Sequence, residues 1–227
     1  MKNKIRLVGQ IQTIQTLTKK MLGKNKYAYV SFPKTALLAI SPSNEKLIPT
    51  NFIDEINKSF SIKDPAYMRA VPSSFIYSAD KDNELDLSIL KDDSVYFNSS
   101  TLENYYNSNK SVFNSFVQFY LKNSPFITVS FNDKKHITQL LGFPAAYTCV
   151  PHNDYYNKLD EICNFLDEVK HLSDVVVLDC PILASGLAHR IWNKFDLSIL
   201  DLGKIVSYSK IKFFDRTKFN DKKTYKN

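Results

Sequence analysis

Short apolar blocks alternate with helix-spaced apolar positions along most of the chain. Ile11, Ile14, Leu17 and Met21 recur at helical spacing near the start and predict a first helix in a basic segment. The block YAYVSF, Tyr27 to Phe32, predicts a strand that breaks at Pro33, where KTALLAI can begin a helix. NFIDEINKSF predicts another helix with Thr50 or Asn51 as its cap, and Tyr67 to Val71 a short strand ending at Pro72.

The second half is more regular. Ser94 to Ser99 reads as a strand, and KSVFNSFVQFYLKN as a helix with Val112, Phe116, Phe119 and Tyr120 on its buried face. FITVSF, Phe126 to Phe131, predicts a strand followed by the helix NDKKHITQLLG, which Asn132 or Asp133 can cap and Gly142 can end. AAYTCV predicts a strand whose exit PHND leads into a helix from about Tyr155 to Lys170. The most apolar strand, DVVVLDC, runs into the helix PILASGLAHRIWNKF and then into SILDLG.

Strands and helices in this alternation predict an α/β fold. The expectation is one Rossmann-like domain over 27–208, a mostly parallel sheet with helices on both faces, flanked by basic extensions at 1–26 and 209–227. In open sheets of this kind ligands bind outside the carboxyl ends of the strands, so chemistry is expected in the loops that follow them.

Charge sharpens the picture. The 227 residues carry a net charge of +7. Residues 1–26 contribute +7 and residues 204–227 contribute +6, which leaves the body at −6. Such ends are either solvated termini or a surface for a polyanion. Lys19, Lys20, Lys24, Lys204, Lys210 and Lys212 are the candidate residues for that surface.

Several classes are disfavoured. Cys149, Cys163 and Cys180 form an odd set without C-x-x-C spacing, and His136, His152, His171 and His189 are dispersed, so neither a disulfide framework nor a metal cluster is indicated. A reducing, cytoplasmic setting is expected, without a secretion signal or a membrane span. There is no G-x-G-x-x-G and no P-loop motif.

The segment DVVVLDCPILASGLAHRIWNKFDLSILDLGK carries the strongest local signal. A helix that begins at Pro181 offers free backbone N–H groups to an anion. By spacing alone, Ser185-Gly186 reads as close helix packing rather than ligand binding. The strand, the small-residue helix start, LAHRIW and SILDLG resemble the C-terminal part of the bacterial GT-D-type glycosyltransferases, in which a GP…A…L…G…A-x-D-x-G pattern closes a Rossmann-like domain. FITVSFNDKKHITQLLGFPAAYTCVPHNDYYNKLDEICNFL and DPAYMRAVPSSF are similar to earlier parts of that family. The resemblance is one of pattern and runs from about Tyr27 to Tyr208.

The family's hallmark is an R-F-G-D-G-E stretch after the first strand, whose acidic D-x-E residues bind a divalent metal and the donor diphosphate. Here the matching residues are Ser31-Phe32-Pro33-Lys34-Thr35-Ala36, with Lys34 for the aspartate and Ala36 for the glutamate. A fixed ammonium can take over part of a metal's charge neutralisation, so the expectation is a nucleotide-sugar co-substrate with no metal required. The other reading makes Lys34 a solvated loop lysine in a site that has lost its activity.

By their places near strand ends, and for Lys34 and residues 151–154 also through the resemblance, Lys34, Thr35, Arg69, Pro151, His152, Asn153, Asp154, Pro181, Ser185 and Gly186 become donor-site candidates. Asp133 and Asp201 become candidates for the base, and Lys34 also for a catalytic role. Helix capping accounts for Asp133, Asn153 and Asp154 equally well. The tyrosine pairs at 105–106 and 155–156 suit either stacking on a ligand or core packing. The implied function is transfer of a sugar, from a UDP-sugar or related donor, to a hydroxyl. A hydroxylated base in phage DNA is the favoured acceptor because of the basic ends, with protein or glycan as the alternative. A non-catalytic nucleic-acid-binding or assembly module on the same fold is the competing class.

Overall fold

In the computed structural model, the described residues are 5–41, 48–78, 89–90, 94–122 and 124–207. Among them eight strands form one all-parallel sheet in the order β1-β4-β3-β2-β8-β7-β5-β6. The strands are β1 (Arg6–Val8), β2 (Ala28–Ser31), β3 (Tyr67–Val71), β4 (Val95–Asn98), β5 (Ile127–Ser130), β6 (Ala146–Cys149), β7 (Val175–Asp179) and β8 (Ser198–Asp201). The helices between them are α1 (Gln10–Leu22), α2 (Lys34–Ala39), α3 (Thr50–Phe60), α4 (Ser73–Ser78), α5 (Thr101–Ser108), α6 (Lys110–Tyr120), α7 (Lys134–Leu141), α8 (Leu159–Val169) and α9 (Pro181–Lys194).

Two apolar layers enclose the sheet, because successive side chains of a strand point to opposite faces. Ala28, Val30, Val176, Leu178 and Ile199 meet Phe52, Ile56, Phe75, Leu159, Leu183 and Leu187 on the first face. Tyr29, Val177 and Leu200 meet Leu17, Leu102, Phe113, Phe116, Ile137 and Leu141 on the second. Connections that step toward β1 carry α2, α3, α4, α8 and α9 on the first face. Those that step away carry α1, α5, α6 and α7 on the second, as right-handed crossovers require.

The expected boundary at residue 26 does not divide the structure. Arg6, Leu7 and Val8 pair with Val95, Tyr96 and Phe97 as an edge strand, and α1 packs on the sheet through Leu17. Residues 1–4 and 208–227 lie outside the described residues. Among the described side chains of α6, Phe113 and Phe116 are buried, while Val112 and Phe119 are exposed. Apolar residues occur on several sides of this helix, so its period did not single out the face that the sheet covers. At α3 no side chain caps the first turn, and the residue before the helix is Pro49.

Candidate functional site

The exits of adjacent strands diverge at the carboxyl end of the sheet. β2 and β7 leave toward the first face, while β5 leaves toward the second. β8 lies between β2 and β7, and its exit residues Ile205 and Val206 pack on the second face. Topology makes the carboxyl ends of β2, β8, β7 and β5 the expected crevice for a ligand.

Asp201 ends β8 and holds two of these exits together. Its Oδ2 accepts the Ser31 N–H of β2 at 2.9 Å, and its Oδ1 accepts the Gly203 N–H at 2.8 Å. Gly203 has φ +63°, which a glycine adopts without strain, and it turns the chain toward Lys204. Burial pushes the Asp201 carboxyl up to about 7, helped by the charge of Asp179 and opposed by the two backbone donors. Lys34 at the start of α2 and Lys204 beyond β8 are both exposed, each three residues past the end of its strand. Asp201 is 1% exposed and both its oxygens are occupied, so its geometry suits holding the loops better than touching a substrate. The expectation that it acts as a base is revised accordingly.

A second buried carboxylate organises the β5 exit. Asp179 Oδ2 accepts the Ser130 hydroxyl at 2.6 Å and the Asn132 side-chain amide at 2.6 Å. The Asn132 carbonyl in turn accepts the Tyr147 hydroxyl at 2.5 Å. Asp133 follows on this fixed loop. It caps α7 by accepting the His136 N–H at 3.0 Å, and its Oδ1 lies 2.5 Å from His136 Nδ1. In the tautomer that donates Nδ1–H to Asp133, Nε2 is left as an acceptor, an arrangement that suits an oriented general base. Asp133 was legible as a candidate, whereas His136 and Asp179 were missed. The D-x-x-H spacing at a helix start was the available signal for His136. Nothing local marked Asp179 beyond its position at the end of a strand.

The other candidates separate. Thr35 is exposed beside Lys34, and Pro181 begins α9 at the neighbouring β7 exit. Pro151, His152, Asn153 and Asp154 form an exposed loop after the edge strand β6, where His152 lies against Phe131 with ring centroids 4.6 Å apart. Asp154 sits in the left-handed region and its side chain accepts from Asn157. Three expectations are corrected. Arg69 does not reach the crevice: Nη1 donates to the Phe60 carbonyl at the end of α3, and the guanidinium lies over the rings of Tyr96 and Phe60. Ser185 donates to the Ile182 carbonyl inside α9. Gly186 is the contact point of α9 with α3, where a Cβ would come within 2.6 Å of Phe52 Cζ. Both are packing residues.

Among the described residues, the basic side chains near the two ends lie at opposite edges of the sheet. Lys19, Lys20 and Lys24 lie at or beyond the end of α1, which runs back from the carboxyl edge of the sheet, so they sit at the opposite edge from Lys204. Lys26 caps α9 there, donating to the carbonyls of Trp192 and Phe195 at 2.8 and 2.6 Å. Lys210 and Lys212 lie outside the described residues. Of the tyrosine pairs, Tyr106 packs edge-on against Phe113 and Tyr155 against Phe52, both in the core.

The resemblance implies a divalent metal, and the residues do not fit one. Lys34 and the buried Ala36 stand at the two acidic positions. No group of three His, Cys, Asp or Glu among the described residues is arranged to hold a metal ion. No helix among them is long and apolar enough to cross a membrane.

No family model and no curated protein matches the sequence. Solved structures do match in shape. A glycosyltransferase with domain of unknown function 1792 from Streptococcus sanguinis superposes with TM-score 0.68 at 13% identity, over 92% of this chain and 85% of that one. A selenomethionine form of domain of unknown function 1792 gives 0.69 at 10% identity, over 93% and 82%. A further structure, described as having a distinct glycosyltransferase fold, gives 0.67 at 11%, over 93% and 82%. The all-parallel sheet, the diverging strand exits and these superpositions agree, and the chain has the glycosyltransferase fold seen in the proteins of domain of unknown function 1792.

Proposed function

We propose that this protein is a glycosyltransferase that moves a sugar from a nucleoside diphosphate donor to a hydroxyl acceptor. The observation that carries the reading is the Asp201 clamp, which ties the exits of β2 and β8 together in a fold shared with glycosyltransferases. Lys34 and Lys204 follow those exits. In the proposed mechanism their ammonium groups balance the diphosphate charge that grows as the sugar leaves, work that an acidic motif and its metal would otherwise do. The start of α9 at Pro181 adds backbone N–H donors on the same edge.

At the other end of the crevice, His136 Nε2 takes the proton of the acceptor hydroxyl while Asp133 holds the ring and stabilises the imidazolium. The acceptor oxygen then bonds to the anomeric carbon, and the bond from that carbon to the diphosphate oxygen breaks. Lys19, Lys20 and Lys24 lie at the sheet edge opposite the strand exits, so these lysines lend no support to a DNA acceptor.

The test is donor binding followed by turnover. Uridine diphosphate and a panel of nucleotide sugars are expected to raise the melting temperature of the full chain, and transfer or donor hydrolysis is expected to continue in EDTA. A chain that none of these ligands stabilises at millimolar concentration would leave the fold without this activity.

A further inference from the structure

Three of the four large apolar side chains that are more than half exposed among the described residues stand at one edge of the fold: Leu22 at 58%, Phe119 at 68% and Phe143 at 84%. This is the amino edge of the sheet, where the strands begin. Leu22 ends α1, which leads into β2; Phe119 is in the last turn of α6, which leads into β5; Phe143 follows α7 and leads into β6. Leu172, before β7, is exposed on the same edge. The fourth such side chain, Ile11, is in the first turn of α1, at the carboxyl edge.

The segments that carry them are bound to one another along this edge. A Cβ at Gly142 would lie 3.1 Å from Lys122 Cγ, so the turns after Phe119 and before Phe143 meet at Lys122. Ala145 donates its N–H to the Phe126 carbonyl at 2.8 Å, and the Ser173 hydroxyl donates to the Pro125 carbonyl at 2.7 Å. The Ser198 N–H donates to the Asp174 carbonyl at 2.8 Å, and the Tyr27 N–H donates to the Ser198 hydroxyl at 3.3 Å, which reaches the segment that follows Leu22. The strands concerned, β6, β5, β7, β8 and β2, are successive in the sheet, so the entries to β6 and β2 are four strand spacings apart, about 19 Å.

The same segments are basic. Residues 19–26, 119–126 and 139–146 contain Lys19, Lys20, Lys24, Lys26 and Lys122 and no Asp or Glu. Lys26 is engaged with the end of α9, whereas among the described residues no ion pair joins Lys19, Lys20, Lys24 or Lys122 to an acid. The exposed acids at the entries to β3, β7 and β8 are Asp64, Asp174 and Asp196, and Lys63 and Lys194 accompany the first and last of them in the chain. Separate apolar tips set among lysines do not make the charge-depleted core of a protein interface, and a nucleic acid would engage the lysines and leave the tips in water. Both features suit an anionic bilayer, where apolar tips enter the boundary of headgroups and acyl chains and lysines reach the lipid charge.

We propose that the amino edge of the sheet docks on an anionic lipid bilayer, with Leu22, Phe119 and Phe143 inserted and Lys19, Lys20, Lys24 and Lys122 against the headgroups. The strand exits at the opposite edge then face away from the lipid. The docking stands on these residues and does not depend on the transferase reading.

The test is co-sedimentation of the full chain with vesicles of phosphatidylcholine and phosphatidylserine in equal parts, and with vesicles of phosphatidylcholine alone. Binding to the mixed vesicles is expected, with neutral vesicles bound about tenfold or more weakly. Phe119→Ser with Phe143→Ser is expected to weaken binding to the mixed vesicles about tenfold or more, and so is the joint change Lys19→Gln, Lys24→Gln and Lys122→Gln. All five side chains are exposed, so the melting temperature should be unchanged in both variants. In a separate Phe143→Trp variant, emission should move to shorter wavelength on mixed vesicles, beyond any change shown by Trp192 in the parent. The proposal is overturned if the serine variant binds as the parent does, if neutral vesicles bind equally well, or if vesicles leave the emission of Phe143→Trp as in the parent. It is equally overturned if the losses appear in binding to DNA instead of vesicles, or if the parent is a dimer that the serine changes turn into a monomer. Vesicle binding by a chain that binds no nucleotide upholds the docking and removes only the transferase.

Discussion

Asp201 and Ser31 meet at the junction of β8 and β2, where the Asp201 carboxylate accepts the Ser31 main-chain N–H at 2.9 Å while its other oxygen takes the N–H of Gly203. One buried side chain thus supports the loops that carry Lys34 and Lys204. Asp201→Ala leaves two backbone donors without partners and is expected to cost roughly 2–5 kcal/mol in urea unfolding. Uridine diphosphate binding should weaken in the same variant. A variant as stable as the parent would show that the clamp is dispensable.

The same carboxyl should reveal itself in pH dependence. Its folded value, near 7, lies above the ordinary carboxyl value, so the folded state favours the protonated form. The contribution of Asp201 to stability is therefore greatest at low pH and declines as pH rises from about 4 through about 7. Carboxyl carbon shifts of labelled aspartate should show a midpoint near 7 at this residue. A midpoint near 4 would contradict the burial argument.

Lys34→Ala should reduce transfer by about a hundredfold or more if the ammonium supports the leaving diphosphate. Lys34→Arg should recover part of the loss, because charge is kept while geometry changes. Added magnesium that restored the alanine variant fully would instead assign the charge to a metal.

His136→Ala should lower kcat by about 10²–10⁴ with little change in donor affinity, the range of a lost general base. Asp133→Asn should give a smaller loss. Helix capping alone predicts that Asp133→Asn and His136→Ala change the melting temperature and leave kcat intact.

Gly186→Ala forces a Cβ to within 2.6 Å of the Phe52 ring at the crossing of α3 and α9. Overpacking of this kind is expected to cost about 1–3 kcal/mol. Phe52→Leu in the same chain should recover part of it, and a neutral Gly186→Ala would mean that the ring moves freely.

Much of the architecture was readable because each internal strand is a compact apolar block between helical patterns. β1 was not, since three residues with a half-exposed pattern give no periodicity. That omission hid a second fact: once β1 precedes α1, the helix must run back along the sheet, and Lys19, Lys20 and Lys24 fall at the edge away from the crevice. α5 escaped notice because Leu102 and Tyr106 are the only large apolar side chains it buries. In the site, strand-end positions such as Lys34, Asp133 and Asp201 were legible from topology alone. Arg69 was misjudged because a sequence does not show that the Phe60 carbonyl at the end of α3 takes a donor from mid-strand. The ion cluster of Glu55, Asp160 and Arg190 joins three helices distant in sequence, so no local motif announces it.

The pairing of β2 with β8 joins Ala28 and Tyr29 to Ile199 and Leu200. A ribosome therefore delivers the centre of the sheet in two instalments, β2 first and β8 only after β3 to β7 have been made. Until β8 emerges, β2 has a bare apolar edge, open to chaperones and to neighbouring nascent chains. Yield in a cell is then governed by how long that edge waits, and slow translation between β2 and β8 should be the step at which this protein aggregates.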